Sequence, residues 1–443
     1  MKRGLLLLLL APFAASGQPT VPPPARISVE QAVEIALTQN RRLQQARLGS
    51  ASARDRETQV RSYLFPQISA NGVGARLFSP LDFRFRAGTF GNYPGTGLIP
   101  ATDTTLRADA KNIATGTITL TQPISQLYKI GRRSDIATLA RQGEDEKLRG
   151  ARQMVIQGVR QACLAILRTQ SDLAALAEAK ALLKEIKANV DEGVAVKTLL
   201  PEDAMAANAR YADLETKERQ LSSLQISQSE QLNLLLGRSL ETPVEINPTL
   251  AAVPEEGSLA DAQSRALANR PEIRQARIEF EQAKHGVKAS RAERFPEVGL
   301  VVSQQWLGHL QPLPKSVGYA GVAVQWDLFD GGRKKSEGAI AARGVEQGKL
   351  NIAEVTDQIR IEVGAVFRKL ALSRAALQSA DLALAADQEK LRVLVAKKKS
   401  EFASTRELLE QQAAFESSRS RRQQAYYDTW LARAAFEKAL GND

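Results

Sequence analysis

Cysteine and histidine are almost missing from this sequence of 443 residues: it has one cysteine, Cys163, and two histidines, His285 and His309. That scarcity excludes a disulfide framework and any Cys/His zinc cluster, which need several such residues at close spacing. Neither histidine stands beside a Gly-x-Ser-x-Gly element, so an exported hydrolase finds no support in them. Cys163, alone in a helical stretch, reads as a small core residue rather than a reactive thiol. Aromatic residues make up only 5% and alanine is abundant, which favours long helices over an all-β chain. No apolar run approaches the roughly 18–20 residues a spanning helix needs, so an α-helical membrane protein is not expected. Hydrophobic residues at 43% and charged residues at 25% give a globular composition. The net charge is +11, but the basic residues are dispersed among acidic ones and no aromatic platform for bases is present. Nucleic-acid binding is therefore not expected.

The N-terminus points to export. Lys2 and Arg3 precede the apolar run Leu5 to Leu10, and Ala15 and Gly17 place small residues before a cut at Gln18. This is the pattern of a cleaved secretory signal over 1–17; the alternative is a buried N-terminal strand. No cysteine follows the cut, which argues against a lipid anchor there.

The rest of the chain is written twice. An offset of 230 superposes Ser28, Ala32, Ala36, Leu37, Gln45, Ala46 and Arg47 on Ser258, Ala262, Ala266, Leu267, Gln275, Ala276 and Arg277. The same offset carries Arg61, Phe65 and Pro66 onto Arg291, Phe295 and Pro296. Later in each half an offset of 204 carries Tyr211 onto Phe415 and Leu236-Gly237 onto Leu440-Gly441. Two repeats follow, 18–245 and 246–443, with a linker marked by Pro243, Pro248 and Pro254. Each repeat is expected to open with a helix of about 35–40 residues, capped by Ser28 or Ser258 and stopped by the Phe-Pro pair. Each closes with a long helical hairpin, Ile130 to Gly237 and Gly332 to Leu440.

The hairpins carry a heptad: Leu148, Val155, Ala162, Thr169, Leu176, Leu183 and Val190, and again Val363, Leu370, Leu377, Leu384 and Leu391. Such a repeat implies a supercoiled seam between helices. Between the opening helix and the hairpin lie segments that alternate with period two. Val322, Val324, Trp326 and Leu328 alternate with Gly321, Ala323, Gln325 and Asp327; Val298, Leu300, Val302 and Trp306 do so with Glu297, Gly299, Ser303 and Gln305. Ile118 and Leu120 alternate with Thr117, Thr119 and Thr121, and the stretch from Gln67 to Phe78 is weaker. Strands are expected at about 66–78, 114–124, 296–307 and 319–329. Apolar on one side and small or polar on the other, they fit transmembrane β-strands or a soluble half-buried hairpin. Trp306, Tyr319 and Trp326 lie where an interfacial aromatic belt would put them.

Four strands cannot close a barrel around a lumen, and an open edge is not tolerated in hydrocarbon. If these strands span, several chains must contribute to one barrel. The connections Ser79 to Ile113 and Gly308 to Gly318 then read as exposed outer loops. On that spanning reading the fold class expected is mainly α with a membrane β-barrel: long coiled-coil hairpins plus four transmembrane strands per chain.

A signal segment, two tandem halves, strand pairs between helices and heptad hairpins together resemble the TolC family of outer membrane efflux proteins. The likeness runs from about Ile27 to Gly441. Its sharpest elements are Ser28 to Arg47, Leu64-Phe65-Pro66, Ser404 to Gln411, and Trp326-Asp327-Leu328-Phe329-Asp330-Gly331-Gly332-Arg333, where glycines permit a strand to turn into a helix. The resemblance implies a homotrimeric α/β barrel in outer membrane lipid, docked to a periplasmic adaptor and an inner-membrane efflux pump or ABC transporter. Its role would be passive export of small molecules (drugs, toxic compounds, metals) or secreted polypeptides, without catalysis, cofactor or metal centre. A soluble periplasmic coiled-coil scaffold or adaptor is the alternative.

The same resemblance assigns candidate sites. Glu407 and Glu410 match positions where relatives place acidic rings at a periplasmic constriction; a solvated helix face is the other reading. Lys397, Lys398 and Lys399 depart from relatives that lock the duct through a tyrosine. Leu199, Leu200, Pro201 and Glu202, with Glu401, Ser404 and Leu408, form the hairpin tips and are candidate adaptor contacts or plain turn residues. Asp330, Gly331 and Gly332 make the strand-to-helix turn.

Overall fold

A computed structural model describes residues 26–79, 81–108, 112–198, 200–247, 257–308, 314–399 and 405–442. The expected signal segment, Leu199, Pro248, Pro254, His309, Glu401 and Ser404 lie outside the described residues.

The first half runs β1 (Arg26–Ile27), α1 (Val29–Gln39), α2 (Arg41–Ser62), β2 (Gln67–Arg76), β3 (Leu81–Phe85), β4 (Asn92–Tyr93), β5 (Gly97–Leu98), β6 (Thr104–Ala108), β7 (Asn112–Pro123), α3 (Leu127–Ala195) and α4 (Pro201–Leu236). The second runs β8 (Glu245–Ile246), α5 (Leu259–Asn269), α6 (Pro271–Ala292), β9 (Glu297–Gly308), β10 (Ser316–Gln325), α7 (Arg333–Lys399) and α8 (Thr405–Ala439). The offset of 230 reappears in the bounds of α1 and α5 and of α2 and α6, and the offset of 204 in the starts of α4 and α8.

Each expected opening helix is in fact two. In the first half the break is at Asn40, whose extended backbone leaves the helix while its Oδ1 accepts the Leu43 N–H at 3.0 Å. In the second half Pro271 opens α6; lacking an N–H, it cannot continue α5, and it holds Arg270 extended. The serine caps are present: Ser28 Oγ accepts the Gln31 N–H at 3.2 Å and Ser258 Oγ accepts the Asp261 N–H at 3.2 Å.

The long helices are α3, with 69 residues, and α7, with 67. At 1.5 Å per residue each measures roughly 100 Å. The heptad positions Val155, Thr169, Leu183 and Val190 of α3 and Val363 and Leu370 of α7 are buried, and the remaining heptad residues are half-buried. Gly237 and Gly441, paired by the repeat, end α4 and α8 in the left-handed conformation, at φ 74° and 75°. Beyond each glycine the chain closes the same way: Arg238 N–H donates to Asn233 O and Asn442 N–H to Glu437 O.

Two compact units form. One comprises residues to Thr38, Gly158–Val253 and Ala380–Tyr427; the other comprises Gln39–Gln157, Pro254–Ser379 and Asp428–Asp443. The first buries Ala32, Ala36, Cys163, Ile166, Leu232 and Leu236, and its short parallel ladder pairs β1 with β8. Burial drives the Cys163 thiol up to about 12, which makes it inert. In the second unit a core of Ala266, Ile273, Ile359, Val363, Leu370, Phe436 and Leu440 joins α5, α6, α7 and α8.

The second unit also holds an antiparallel sheet of order β10-β9-β7-β2. β10 starts three residues earlier than expected and ends at Gln325, so Trp326 and Leu328 fall beyond the ladder. The segment expected as a loop after Ser79 carries two further ladders, β3 with β6 and β4 with β5. Phe83 and Phe85 face Leu106 and Thr104 there, supplying the alternation that pairs them.

Candidate functional site

The register of the sheet sorts most of its side chains by character onto two faces, with Gln122 and Gln304 as polar exceptions on the mainly apolar face and Val73, Val301 and Val317 as apolar exceptions on the mainly polar one. Ile68, Ile118, Leu120, Leu300, Val302, Trp306, Val322 and Val324 share one face with Ala70, Gly72, Gly116 and Ala320. Thr115, Thr117, Thr119 and Thr121 share the other with Ser69, Asn71, Ser303 and Gln305. The pleat alone produces this separation, because successive residues point to opposite sides. On the polar face Thr119 and Ser303 hydroxyls meet at 3.2 Å. Tyr319 pairs with Ser303 and so lies on the polar face; its odd spacing from Val322 removes it from the expected belt on the apolar side.

Glu297, at the foot of β9, is the one ionised residue among those register-paired positions of the polar face, and it is neutralised locally. Gln126 Nε2 donates to it at 2.8 Å and Lys129 Nζ stands 3.2 Å away. Lys129 also reaches Glu293 at 3.5 Å, and Arg133 reaches Glu293 at 3.2 Å. Ser125 completes the junction: its Oγ donates to Pro296 O at 2.8 Å and accepts the Val298 N–H at 2.7 Å. The start of α3 is thereby fixed to the start of β9.

Where the chain enters α7, Gly331 and Gly332 take φ values of 63° and 90°, which only glycine adopts without strain. Asp330 caps the helix: its carboxylate accepts the Gly332 and Lys334 N–H groups, each at 3.0 Å. The Lys334 amide, followed by that of Gly332, holds the Asp330 carboxyl below the usual carboxylate range despite some desolvation.

The α3–α4 tip is a tight helix stop. Lys197 is left-handed at φ 61°, Lys197 N–H donates to Val194 O and Thr198 N–H donates to Gly193 O at 2.8 Å. Leu200, Pro201 and Glu202 follow, all exposed; Leu200 N–H donates to the Asp203 carboxylate at 3.1 Å and Pro201 occupies the first helical position. Sequence reading missed the part played by Lys197 and Asp203, although the acid three residues after the helix start was a usable signal. At the other tip Glu407 and Glu410 lie in α8 three residues apart, both exposed, with Leu408 between them. Glu407 sits in the first turn, where a carboxylate also complements the helix dipole.

Several aromatic side chains in the segments flanking the strands are exposed, and sequence reading named only some of them: Tyr63, Phe65, Tyr128, Phe295, Trp326 and Phe329. Phe65 and Phe295 are 65% and 70% accessible and Phe329 is 91% accessible. For Phe65 and Phe295 the signal was present in the repeated Phe-Pro pair, read as a repeat marker, a helix stop and a family-like element.

Residues 262–442 match the family model described as OEP, outer membrane efflux protein. The outer membrane efflux protein BepC of Brucella suis biovar 1 (strain 1330) is 23% identical over 281 residues, covering 63% of this chain. That match spans 59% of the relative's own length. Among solved structures, CusC superposes with a TM-score of 0.76 at 16% identity, covering 97% of this chain and 96% of that one. VceC of Vibrio cholerae gives 0.76 at 16% identity, covering 94% and 96%. The CmeC outer membrane channel of Campylobacter jejuni gives 0.78 at 15% identity, covering 93% and 85%. The resemblance drawn from the sequence is thus matched in the second half by the outer membrane efflux protein model, and the whole chain has the fold of these solved outer membrane proteins.

Proposed function

We propose that this chain, an efflux-protein domain on an outer-membrane-channel fold, is one third of a passive exit duct in the outer membrane. The sheet carries that reading. Its apolar face suits hydrocarbon and its hydroxyl and amide face suits a water-filled lumen. Among the described residues both edge strands, β2 and β10, lack a partner on their outer side, and three antiparallel pairings make them run in opposite directions. Strand β2 of one copy can therefore pair antiparallel with β10 of the next. Three copies of this four-stranded sheet supply twelve strands, above the roughly eight needed for closure, and no edge remains exposed to lipid.

The long heptad helices would extend the duct into the periplasm. The tips at Leu200-Pro201-Glu202 and Leu408 would meet a periplasmic adaptor, itself coupled to an inner-membrane pump or ABC transporter. In a trimer Glu407 and Glu410 would form two acidic rings at that end. Small solutes are the proposed cargo, moved by diffusion without a reacting group.

The deciding experiment is the mass of the detergent-extracted particle by light scattering, corrected for bound detergent. A trimer confined to the outer-membrane fraction is expected. A monomer that stays soluble without detergent would replace the duct with a periplasmic coiled-coil scaffold.

A further inference from the structure

At the foot of the sheet a cavity of about 830 Å³ opens between the start of α3 and the end of α6. Its wall includes Val298 of the apolar face, the rings of Tyr128 and Phe295, and the cations Lys129, Lys288 and Arg291. A second cavity, lined by Thr121, Gln122, Leu300, Val301, Ala323 and Val324, adjoins it and shares Gln126 and Glu297.

The charges in the first cavity are unevenly matched. Glu297 also lines it, but that carboxylate is already held by Lys129 and Gln126, and Lys129 is shared with Glu293. Lys288 and Arg291 make no ion pair with a described residue, are exposed, and stand three apart on one face of α6. Two cations without an ion-pair partner among the described residues therefore line the same cavity as two rings, and Val298 of that lining shares its strand face with Leu300 and Val302. This order of cation, ring and alkyl surface is the order of phosphate, glycerol region and acyl chain in a phospholipid. The cavity lies at the ends of β7 and β9, the two inner strands, away from the free edges where a second copy would pair.

We propose that this cavity seats the phosphate-bearing headgroup of a glycerophospholipid of the periplasmic leaflet, with Lys288 and Arg291 as its phosphate ligands and an acyl chain lying on Val298 and Leu300. The inference rests on the membrane-spanning reading of the sheet.

The test is native mass spectrometry of delipidated, detergent-solubilised full chain titrated with dioleoylphosphatidylglycerol. The wild type is expected to retain one lipid per chain. K288A/R291A should bind roughly tenfold more weakly, the scale of one lost charge-assisted hydrogen bond. K288R/R291K should bind as the wild type does. On the wild type, dioleoylglycerol, which lacks the phosphate, should also bind about tenfold more weakly, and inorganic phosphate alone should not compete. Equal retention by K288A/R291A, equal binding of dioleoylglycerol, or competition by inorganic phosphate would each overturn the assignment. Particle mass is read in the same spectra: a soluble wild-type monomer would remove the spanning reading and the lipid site together. A membrane-extracted trimer indifferent to Lys288 and Arg291 would remove the lipid site alone.

Discussion

Glycine at the end of α8 does more than relax the backbone. A Cβ on Gly441 would stand 2.9 Å from Arg270 N and 3.0 Å from Asn269 C, main-chain atoms of the α5–α6 junction. Gly331 is also left-handed, but a Cβ there meets nothing within 4 Å. Gly331→Ala should therefore cost only the left-handed penalty, about 1–2 kcal/mol. Gly441→Ala adds a main-chain clash and should lose clearly more, a ranking that thermal unfolding in detergent would read directly. A second prediction concerns Asp172 and Glu416, which line a groove between α3, α4 and α8. Burial pushes the Asp172 carboxyl up, against a nearby Arg168; burial also pushes Glu416 up, opposed by Arg419 and reinforced by Glu178. The folded chain thus holds these protons more tightly than the unfolded chain, so stability declines as pH rises through and above about 4, the ordinary carboxyl range. Asp172→Asn should raise the melting temperature at pH 8 and leave it unchanged near pH 3.

At the scale of the element, the sheet makes neighbours in sequence into opposites in environment. Val322 lies on the apolar face and Ala323 on the polar one. A lysine at 322 would face lipid, at a cost of about 2–4 kcal/mol near mid-bilayer. A lysine at 323 would face the lumen. V322K should sharply reduce the amount of trimer recovered from the outer membrane. A323K should assemble normally and shift ion selectivity toward anions in a planar bilayer. Equal recovery of both variants would mean the two faces do not meet lipid and water.

At the scale of the whole molecule, the acidic pair acts only if copies assemble. In one chain Glu407 and Glu410 are two exposed carboxylates on a helix start. In a trimer, three copies of each would crowd together and favour cations. E407Q/E410Q should lower cation selectivity in a planar bilayer without altering particle mass, and unchanged selectivity would assign the pair to helix capping instead.

Most of the fold was legible because it is periodic. The offsets of 230 and 204, the heptad from Leu148 to Val190, and the Thr117-Thr119-Thr121 alternation are local patterns that backbone geometry converts directly into repeats, supercoiled seams and strand faces. The breaks at Asn40 and Arg270 were less visible, since a capping asparagine and a proline at a helix start interrupt an apolar pattern without ending it. The candidate sites were legible only as residue types at element ends: Asp330-Gly331-Gly332 read as a turn, but the two amides that Asp330 holds belong to the folded chain. Sequence by itself determined the duplicated plan, the long helices, and the two-sided character of β7, β9 and β10. Only the tertiary structure decided that Gly441 lies against the α5–α6 junction, and that Lys288, Arg291, Tyr128 and Phe295 line one cavity. Those facts depend on contacts between residues more than a hundred positions apart, which no local periodicity encodes.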